Sequence, residues 1–293
     1  DKKLTRPMRP TVVNMSWGYL TTYTDASITA INYRGVSYTG TDINTTTKRE
    51  ENFGLNNNLY SAGTYAANLR ILSIDTDIDE MIDVGIHITI AAGNRGNKCD
   101  VPGGTDYNNY YTSNGTDQYY HRGSSPNSER AILVGNLDSA LNSATNGDGS
   151  NKDQKATSSE CGPAVDIYAA GTNIMSSTST TNRFSGPAYY ADSNFRQCNI
   201  SGTSMAAPQV AGLVALYLQA SPNSTPHAIK AALMGITGDT IYTSSANNDW
   251  TDRRSLLGGD QTIMFNKFTS PAPSTLTNLP SGFLQNGIKI TTK

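Results

Sequence analysis

Hydrophobic positions along the middle of the chain switch between strand-like and helix-like spacing. β-Branched residues predict a short strand over residues 11–18 that ends in a turn of small residues. Apolar residues recur at helical spacing from residue 59 to about 84, and Gly85 ends that pattern. Continuous apolar runs at residues 86–92 and 131–136 predict two buried strands. Strands and a helix in this order are typical of a parallel α/β sheet.

Polar segments separate these elements. Residues 21–58 are rich in Thr and Asn without a clean period, which predicts a surface loop or hairpin insertion. Residues 97–123 form a longer connection than an α/β unit requires. Residues 148–153 have some features of a calcium loop but lack the spacing and closing Glu of an EF-hand, so a solvated turn is the preferred interpretation. No motif requires a cofactor, and a structural calcium ion stays an open alternative.

The composition supports a folded domain and argues against some partners. With 293 residues, of which 37% are hydrophobic, the chain is long enough for one large domain or two small ones. A formal net charge of −2 argues against a nucleic-acid partner. No apolar run is long enough to cross a bilayer, and no secretion signal stands at the start. Few charged residues and abundant Ser, Thr, Asn and Gly favour an extracellular or particle-borne protein.

The cysteines give no metal motif. Cys99, Cys161 and Cys198 allow at most one internal disulfide, and their spacing fits no known metal site. Buried free thiols are an equally good interpretation.

The strongest chemical signal is the segment Ser-Gly-Thr-Ser-Met-Ala-Ala-Pro at residues 201–208, which precedes an apolar run of helical length. Ser204 is the candidate nucleophile, because the free N–H groups at a helix N-terminus stabilise an oxyanion that forms beside its hydroxyl. Gly202 lets the backbone turn sharply before the helix. Pro208 either occupies a first-turn position where its missing N–H costs little or bends the helix.

This segment resembles the nucleophile motif of the subtilisin-like serine proteases, Gly-Thr-Ser-Met-Ala-x-Pro. Gln209 departs from the family pattern, which often has a His there that is not the triad base. Residues 91–94, Ala-Ala-Gly-Asn, and residues 161–174 also resemble family segments. The resemblance implies that Asn94 donates to the oxyanion alongside the backbone N–H of Ser204. A turn residue that merely follows a glycine is the structural alternative for Asn94.

The resemblance also implies a substrate cleft. The strand over residues 11–18 is similar to the family strand that ends in Asn-Met-Ser-x-Gly and pairs with the substrate backbone. Ser16, Trp17 and Gly18 would therefore line the cleft, with Trp17 packing rather than reacting. Ala92 and Gly93 are the further substrate-binding candidates, and the loop at residues 97–123 is expected to shape the pocket for the residue before the cleaved bond.

The Asp and His motifs that complete the family's triad are absent from this sequence. The three histidines, His87, His121 and His227, are interpreted as packing or surface residues rather than as a relocated base. The family sheet has about seven strands, and this chain supplies only the later ones, which would leave an unpaired strand edge. We therefore expect a companion N-terminal segment with the Asp and His, either from a precursor cut near Asp1 or from a separate chain.

These observations lead to two functional hypotheses. The first is a serine endopeptidase segment that hydrolyses peptide bonds in protein or peptide substrates through an acyl-enzyme on Ser204. The second is a catalytically inactive structural component of a virion or surface assembly that keeps the same fold. The predicted organisation is an extended lead-in (1–10), the C-terminal part of a subtilisin-like domain with polar insertions (11–237), and an extension or linker arm (238–293).

Overall fold

The computed structural model describes residues 9–56, 59–61, 64–138, 153–179, 188–189, 192–235, 241, 250–252, 254–259 and 262–264. Its α-helices are α1 (Thr46–Phe53), α2 (Leu72–Asp83), α3 (Thr203–Ala220) and α4 (Pro226–Met234). Its strands are β1 (Thr11–Met15), β2 (Leu20–Tyr23), β3 (Ile28–Tyr33), β4 (Val36–Thr39), β5 (Leu59–Ser61), β6 (Thr64–Asn68), β7 (Ile86–Ala91), β8 (Tyr110–Ser113), β9 (Thr116–Tyr119), β10 (Ile132–Asp138), β11 (Gln154–Lys155), β12 (Ile167–Ala170), β13 (Ile174–Thr178), β14 (Ala188–Tyr189) and β15 (Asp192–Ile200).

A central sheet confirms the predicted α/β class. Strands β1, β7, β10 and β12 lie side by side in that order and run parallel, while β11 pairs antiparallel with the end of β10. Successive side chains of a strand point to opposite faces of the sheet. Ile90 and Leu133 accordingly pack with Ile78 of α2, whereas Val134 packs with Leu213 of α3 and with α4. The sheet is therefore buried between two helical layers.

Strand β1 forms one edge of this sheet. It pairs with β7 along its whole length, from Thr11 opposite Ile86 to Met15 opposite Ile90. In the part of the chain that the structure describes, no strand pairs with the other side of β1. An edge strand presents unpaired N–H and C=O groups, so this edge is a place where a further segment can add.

An aromatic core underlies the polar insertion at residues 21–58. The insertion contains the predicted hairpin, β3 with β4, but also helix α1, and β3 pairs with β8 from the later loop. Tyr23, Ile31, Phe53, Tyr111 and Tyr120 are buried together between these elements. The insertion is therefore a second small layer with its own core rather than a surface loop.

The helix predicted over residues 59–84 is wrong in its first half. Residues 59–61 and 64–68 form strands β5 and β6, and only α2 is helical. Strand β6 pairs with β2, so that Leu20 lies opposite Asn68, and this pairing with a distant segment outweighs the local helical spacing. Leu72, an apolar residue within the predicted helix, is exposed at the start of α2.

Parts of the predicted C-terminal extension pack against the domain. Leu256 is buried in the core that includes α2, and the backbone of Tyr168 in β12 is hydrogen-bonded to Thr262 and Met264. The lead-in up to residue 8 and residues 265–293 lie outside the described residues.

Candidate active site

Helix α3 carries Ser204 in its first turn. Gly202, the N-cap, has φ of +153°, a conformation that favours glycine, and its N–H donates to the carbonyl of Gly171 at 2.8 Å. A Cβ on Gly202 would lie 3.3 Å from both terminal atoms of the Asn94 amide. The glycine thus brings the helix N-terminus directly against Asn94.

Ser204 is joined to β1 through Ser16. The Ser16 hydroxyl donates to the backbone carbonyl of Ser204 at 3.1 Å, and the Ser204 hydroxyl donates to the carbonyl of Ser16 at 3.4 Å. Pro208 lies inside α3, four residues after Ser204, and has no N–H to donate to the Ser204 carbonyl. The Ser16 hydroxyl supplies the hydrogen bond that the proline removes.

Thr203 fixes the orientation of Asn94. The Asn94 Oδ1 accepts hydrogen bonds from the Thr203 N–H at 2.8 Å and from the Thr203 hydroxyl at 3.1 Å. The same hydroxyl accepts the N–H of Gly93 at 3.1 Å. Because a backbone N–H is always a donor, the atom it meets must be the amide oxygen, which leaves the NH₂ group of Asn94 for another acceptor.

The backbone of the first helical turn offers a second donor. The Thr203 N–H is used by Asn94, and the Met205 N–H donates to the carbonyl of Gly202 at 3.0 Å. The Ser204 N–H lies between them, and among the described residues no acceptor for it is found. Asn94 and Ser204 line the same cavity, so the Asn94 amide and this N–H are two donors available to a ligand there.

A cavity of about 290 Å³ opens next to these donors. It is lined by every residue that the sequence predicts for catalysis or substrate binding: Ser16, Trp17, Gly18, Ala92, Gly93, Asn94 and Ser204. The lining also includes four residues that the sequence analysis did not predict: Leu20, Asn68, Arg95 and Ser124. Leu20 and Asn68 face each other across β2 and β6, a pairing for which the sequence gives no local signal.

The loop at residues 97–123 does not shape this cavity, contrary to expectation. None of its residues is among the lining residues, and Ser124, directly after it, takes that place. The Ser124 hydroxyl accepts the N–H of Tyr19 at 2.8 Å and thereby holds the wall formed by Gly18. The loop packs elsewhere, because its strand β8 pairs with β3 in the aromatic layer.

A buried acid, Glu160, lies behind the turn that carries Asn94. Its Oε2 accepts hydrogen bonds from the Asn68 amide at 3.1 Å and from the Cys99 thiol at 3.4 Å. Burial raises the pKa of Glu160 to about 7, against the lowering effect of these donors and of Arg95. Gly93 has φ of +119°, and a Cβ there would lie 2.7 Å from the Glu160 side chain. Sequence reasoning missed Glu160, because its neighbours are distant along the chain.

None of the three histidines lines the cavity. His87 is buried in β7, where burial lowers its pKa. His121 is fully buried and stacks on Trp250, and burial lowers its pKa to about 4. His227 lies in the first turn of α4. The lining residues include no Asp or Glu either, so a base for Ser204 and its orienting carboxylate are not found in the part of the chain that the structure describes.

The structure contains free thiols and no candidate metal cluster within its described ranges. Cys99 and Cys161 are buried free thiols, and Cys198 is a half-buried one. No group of three or more His, Cys, Asp or Glu side chains among the described residues is placed to hold a metal ion. Of the weak calcium-loop candidate at residues 148–153, only Asp153 is described. Among the described helices, none combines the length and apolar character needed to span a bilayer.

Comparison with known proteins places these features in a family. Residues 2–254 match the sequence model described as the peptidase S8, or subtilase, family. The chain is 29% identical over 180 residues to the subtilisin-like serine protease Pen ch 18 of Penicillium rubens, which covers 58% of this chain and 27% of the relative. It is 32% identical over 149 residues to the cuticle-degrading serine protease of Arthrobotrys oligospora, which covers 51% and 25%.

A solved structure of a cold adapted subtilisin-like serine proteinase also matches, with 22% identity and a TM-score of 0.40 over 67% of this chain and 50% of that chain. The alignments with Pen ch 18 and the cuticle-degrading protease span only about a quarter of those relatives, at 27% and 25%. The match to the family model, in contrast, extends from residue 2 to residue 254. This chain belongs to the subtilase family.

Proposed function

We propose that this chain is the nucleophile-bearing part of a subtilisin-like serine endopeptidase. The observation that carries the proposal is the Asn94 amide, whose oxygen accepts two hydrogen bonds from Thr203 and whose NH₂ group is thereby left free of that contact, in a cavity that Ser204 also lines. These two hydrogen bonds tie Asn94 directly to the helix that bears the candidate nucleophile. Family membership agrees with this role.

The reaction would proceed through an acyl-enzyme. The Ser204 oxygen attacks the peptide carbonyl carbon, its proton passes to a base, and the carbonyl electron pair becomes an oxyanion held by Asn94 and the Ser204 N–H. The oxyanion collapses, the C–N bond breaks, and the protonated base gives its proton to the departing amine. Water then releases the acyl group by the reverse proton path. In subtilisin itself, removal of one oxyanion donor costs roughly 10²–10³ in kcat.

The base and its carboxylate would come from a companion N-terminal segment of the same precursor or from a separate chain. Two features of the described residues support this partner. The outer edge of β1 has no strand beside it in that part of the chain. A second cavity, of about 650 Å³ and with largely apolar walls that include Ile174, Ile200, Met205 and Pro208, also opens at Ser204. A segment that covers this second cavity could bring an imidazole to the Ser204 hydroxyl.

The alternative is an inactive structural component of a virion or surface assembly. It predicts that the protein does not hydrolyse peptides through Ser204.

We further propose that the protein works outside the cell or on a particle, since it has few charged residues and is rich in Ser, Thr, Asn and Gly. Its substrate would be a protein or peptide.

The test is peptide mapping and peptide hydrolysis on the protein purified with whatever polypeptide accompanies it. We expect a co-purifying polypeptide with Asp and His motifs, and hydrolysis that the Ser204→Ala variant abolishes. Absence of both the polypeptide and the hydrolysis would overturn the proposal in favour of the inactive scaffold. Hydrolysis that persists in Ser204→Ala would also overturn it.

A further inference from the structure

Thirteen of the residues that the structure describes line the cavity beside Ser204, and among them only Arg95 is charged. Arg95 directly follows Asn94 in the chain. We propose that Arg95 makes this cavity selective for substrates that carry an acidic side chain on the residue before the scissile bond. This inference rests on the proposed function, because only a substrate that acylates Ser204 would present that residue here.

The position of the cavity determines which substrate residue it receives. Ser204 and Asn94, which would hold the reacting carbonyl, both belong to the cavity lining. The side chain on the acyl side of the bond therefore enters the adjoining space. A volume of about 290 Å³ has room for such a side chain.

The chemistry of arginine suits a carboxylate. A guanidinium stays protonated at all physiological pH values and has five N–H donors in a planar fork, so it can serve two carboxylates at once. Bidentate hydrogen bonds between a guanidinium and a carboxylate are stronger than neutral ones, and they gain strength where water is excluded. Apart from Arg95, the described residues that line the cavity are uncharged.

The ionisation of Glu160 determines the net charge of Arg95 and Glu160 together. Glu160 is the acid whose ionisation Arg95 favours, and burial nevertheless raises its pKa to about 7. The other titratable group that contacts it is the Cys99 thiol, and Asn68 contacts it as a neutral donor. Glu160 is thus only partly ionised at neutral pH, and together with Arg95 it leaves a net charge between zero and plus one.

The same acid is badly placed to select a basic substrate. The Glu160 side chain is completely buried, whereas Asn68 and Gly93, which both contact it, line the cavity. These two residues stand between the carboxyl group and any substrate side chain. A lysine in the cavity would meet the like charge of Arg95, which disfavours it.

The test uses the purified protein with its companion and four fluorogenic peptides that differ only in the residue before the cleaved bond: Glu, Gln, Leu or Lys. We expect kcat/KM for Glu to exceed that for Gln by roughly ten- to a hundredfold, as one charge-assisted hydrogen bond implies. In Arg95→Gln this ratio should fall to about one, and in Arg95→Lys the preference for Glu over Gln should largely remain. Arg95→Glu should prefer the Lys peptide. A preference for Leu or Lys in the unaltered protein would overturn the proposal.

Two controls separate the possible failures. Arg130→Gln removes an exposed cation that pairs with Asp83, outside the cavity, and should leave all four ratios unchanged. If Arg95 were only structural, its variants would lower kcat/KM for all four peptides by the same factor. Labelling by a fluorophosphonate, which reacts with an activated serine, reports the proposed function independently. Labelling without a preference for Glu refutes the selectivity alone, whereas absence of labelling refutes the enzyme.

Discussion

The Ser16 hydroxyl donates a hydrogen bond of 3.1 Å to the backbone carbonyl of Ser204, and the Ser204 hydroxyl donates to the carbonyl of Ser16 at 3.4 Å. These two residues are 188 positions apart in the chain, so the contact joins the edge strand to the nucleophile helix. The hydrogen bond from Ser16 is needed because Pro208 cannot provide the usual helical donor. The turn that would line the substrate cleft thus also holds the nucleophile in place.

Replacement of Ser16 by Ala should destabilise the protein by roughly 1–2 kcal/mol, because it leaves the Ser204 carbonyl without a donor. Pro208→Ala restores a helical N–H to that carbonyl. In a double-mutant cycle followed by urea unfolding, the loss caused by Ser16→Ala should shrink when Pro208 is already Ala. Equal losses in both backgrounds would show that the Ser16 hydroxyl does not replace the missing helical bond.

Replacement of Thr203 by Val should reduce the rate at which a fluorophosphonate labels Ser204. The variant removes the hydroxyl that donates to Asn94 and accepts from Gly93, so the Asn94 amide loses part of its orientation. We expect a loss of roughly tenfold or more, in line with the effects of oxyanion donors. Thr203→Ser keeps the hydroxyl and is the matched control. A rate equal to that of the unaltered protein in Thr203→Val would contradict the role given to this hydroxyl.

Glu160 should make stability fall as the pH rises. Its pKa in the folded protein is about 7, above its ordinary value of 4.5, so the folded state holds the proton more tightly than the unfolded state. The stability present below pH 4.5 is therefore lost as the pH rises through 7, by about 3 kcal/mol in total. In Glu160→Gln this decrease of the unfolding free energy with pH should vanish. The check is to measure the unfolding free energy of both proteins at pH 5 and at pH 8. If the difference between the two proteins is the same at both pH values, the raised pKa of Glu160 is refuted.

Lys230 joins α4 to the segment before β10. Its ammonium donates to the carbonyls of Glu129 and Ala131 at 2.7 Å each and to the Asp166 carboxylate at 2.9 Å. Lys230→Met removes this ion pair from a largely buried carboxylate and should cost roughly 2–4 kcal/mol in urea unfolding. The exposed pair of Arg130 and Asp83 is the comparison.

Removal of that exposed pair by Arg130→Met should cost less than about 1 kcal/mol, because solvent screens both charges. Losses of similar size at Lys230 and Arg130 would show that burial does not govern these ion pairs.

The sequence predicted those parts of the fold whose pattern is local. The apolar run at residues 86–92 corresponds to β7, because a strand buried on both faces of a sheet is apolar along its length. The segment after Ser201 corresponds to α3, because the motif at the helix N-terminus is contiguous in the sequence. Strands β5 and β6 were missed, since their strand state depends on pairing with β2.

The site shows the same division. The residues that the motifs supply, from Ser16 to Ser204, line one cavity. Arg95 and Asn68 were missed, although Arg95 stands next to Asn94, because only the folded chain shows which side chains close a cavity. Glu160 was missed because it meets Gly93 across 67 residues of sequence, and neither residue predicts the other.

The central claim is that Ser204 is an activated nucleophile. The most direct measurement is treatment of the purified protein and its companion with a fluorophosphonate, followed by mass spectrometry of the peptide that contains residue 204. We predict a single adduct on Ser204 in the unaltered protein and none in Ser204→Ala. An unmodified Ser204, or an adduct on another serine that persists in Ser204→Ala, would contradict it.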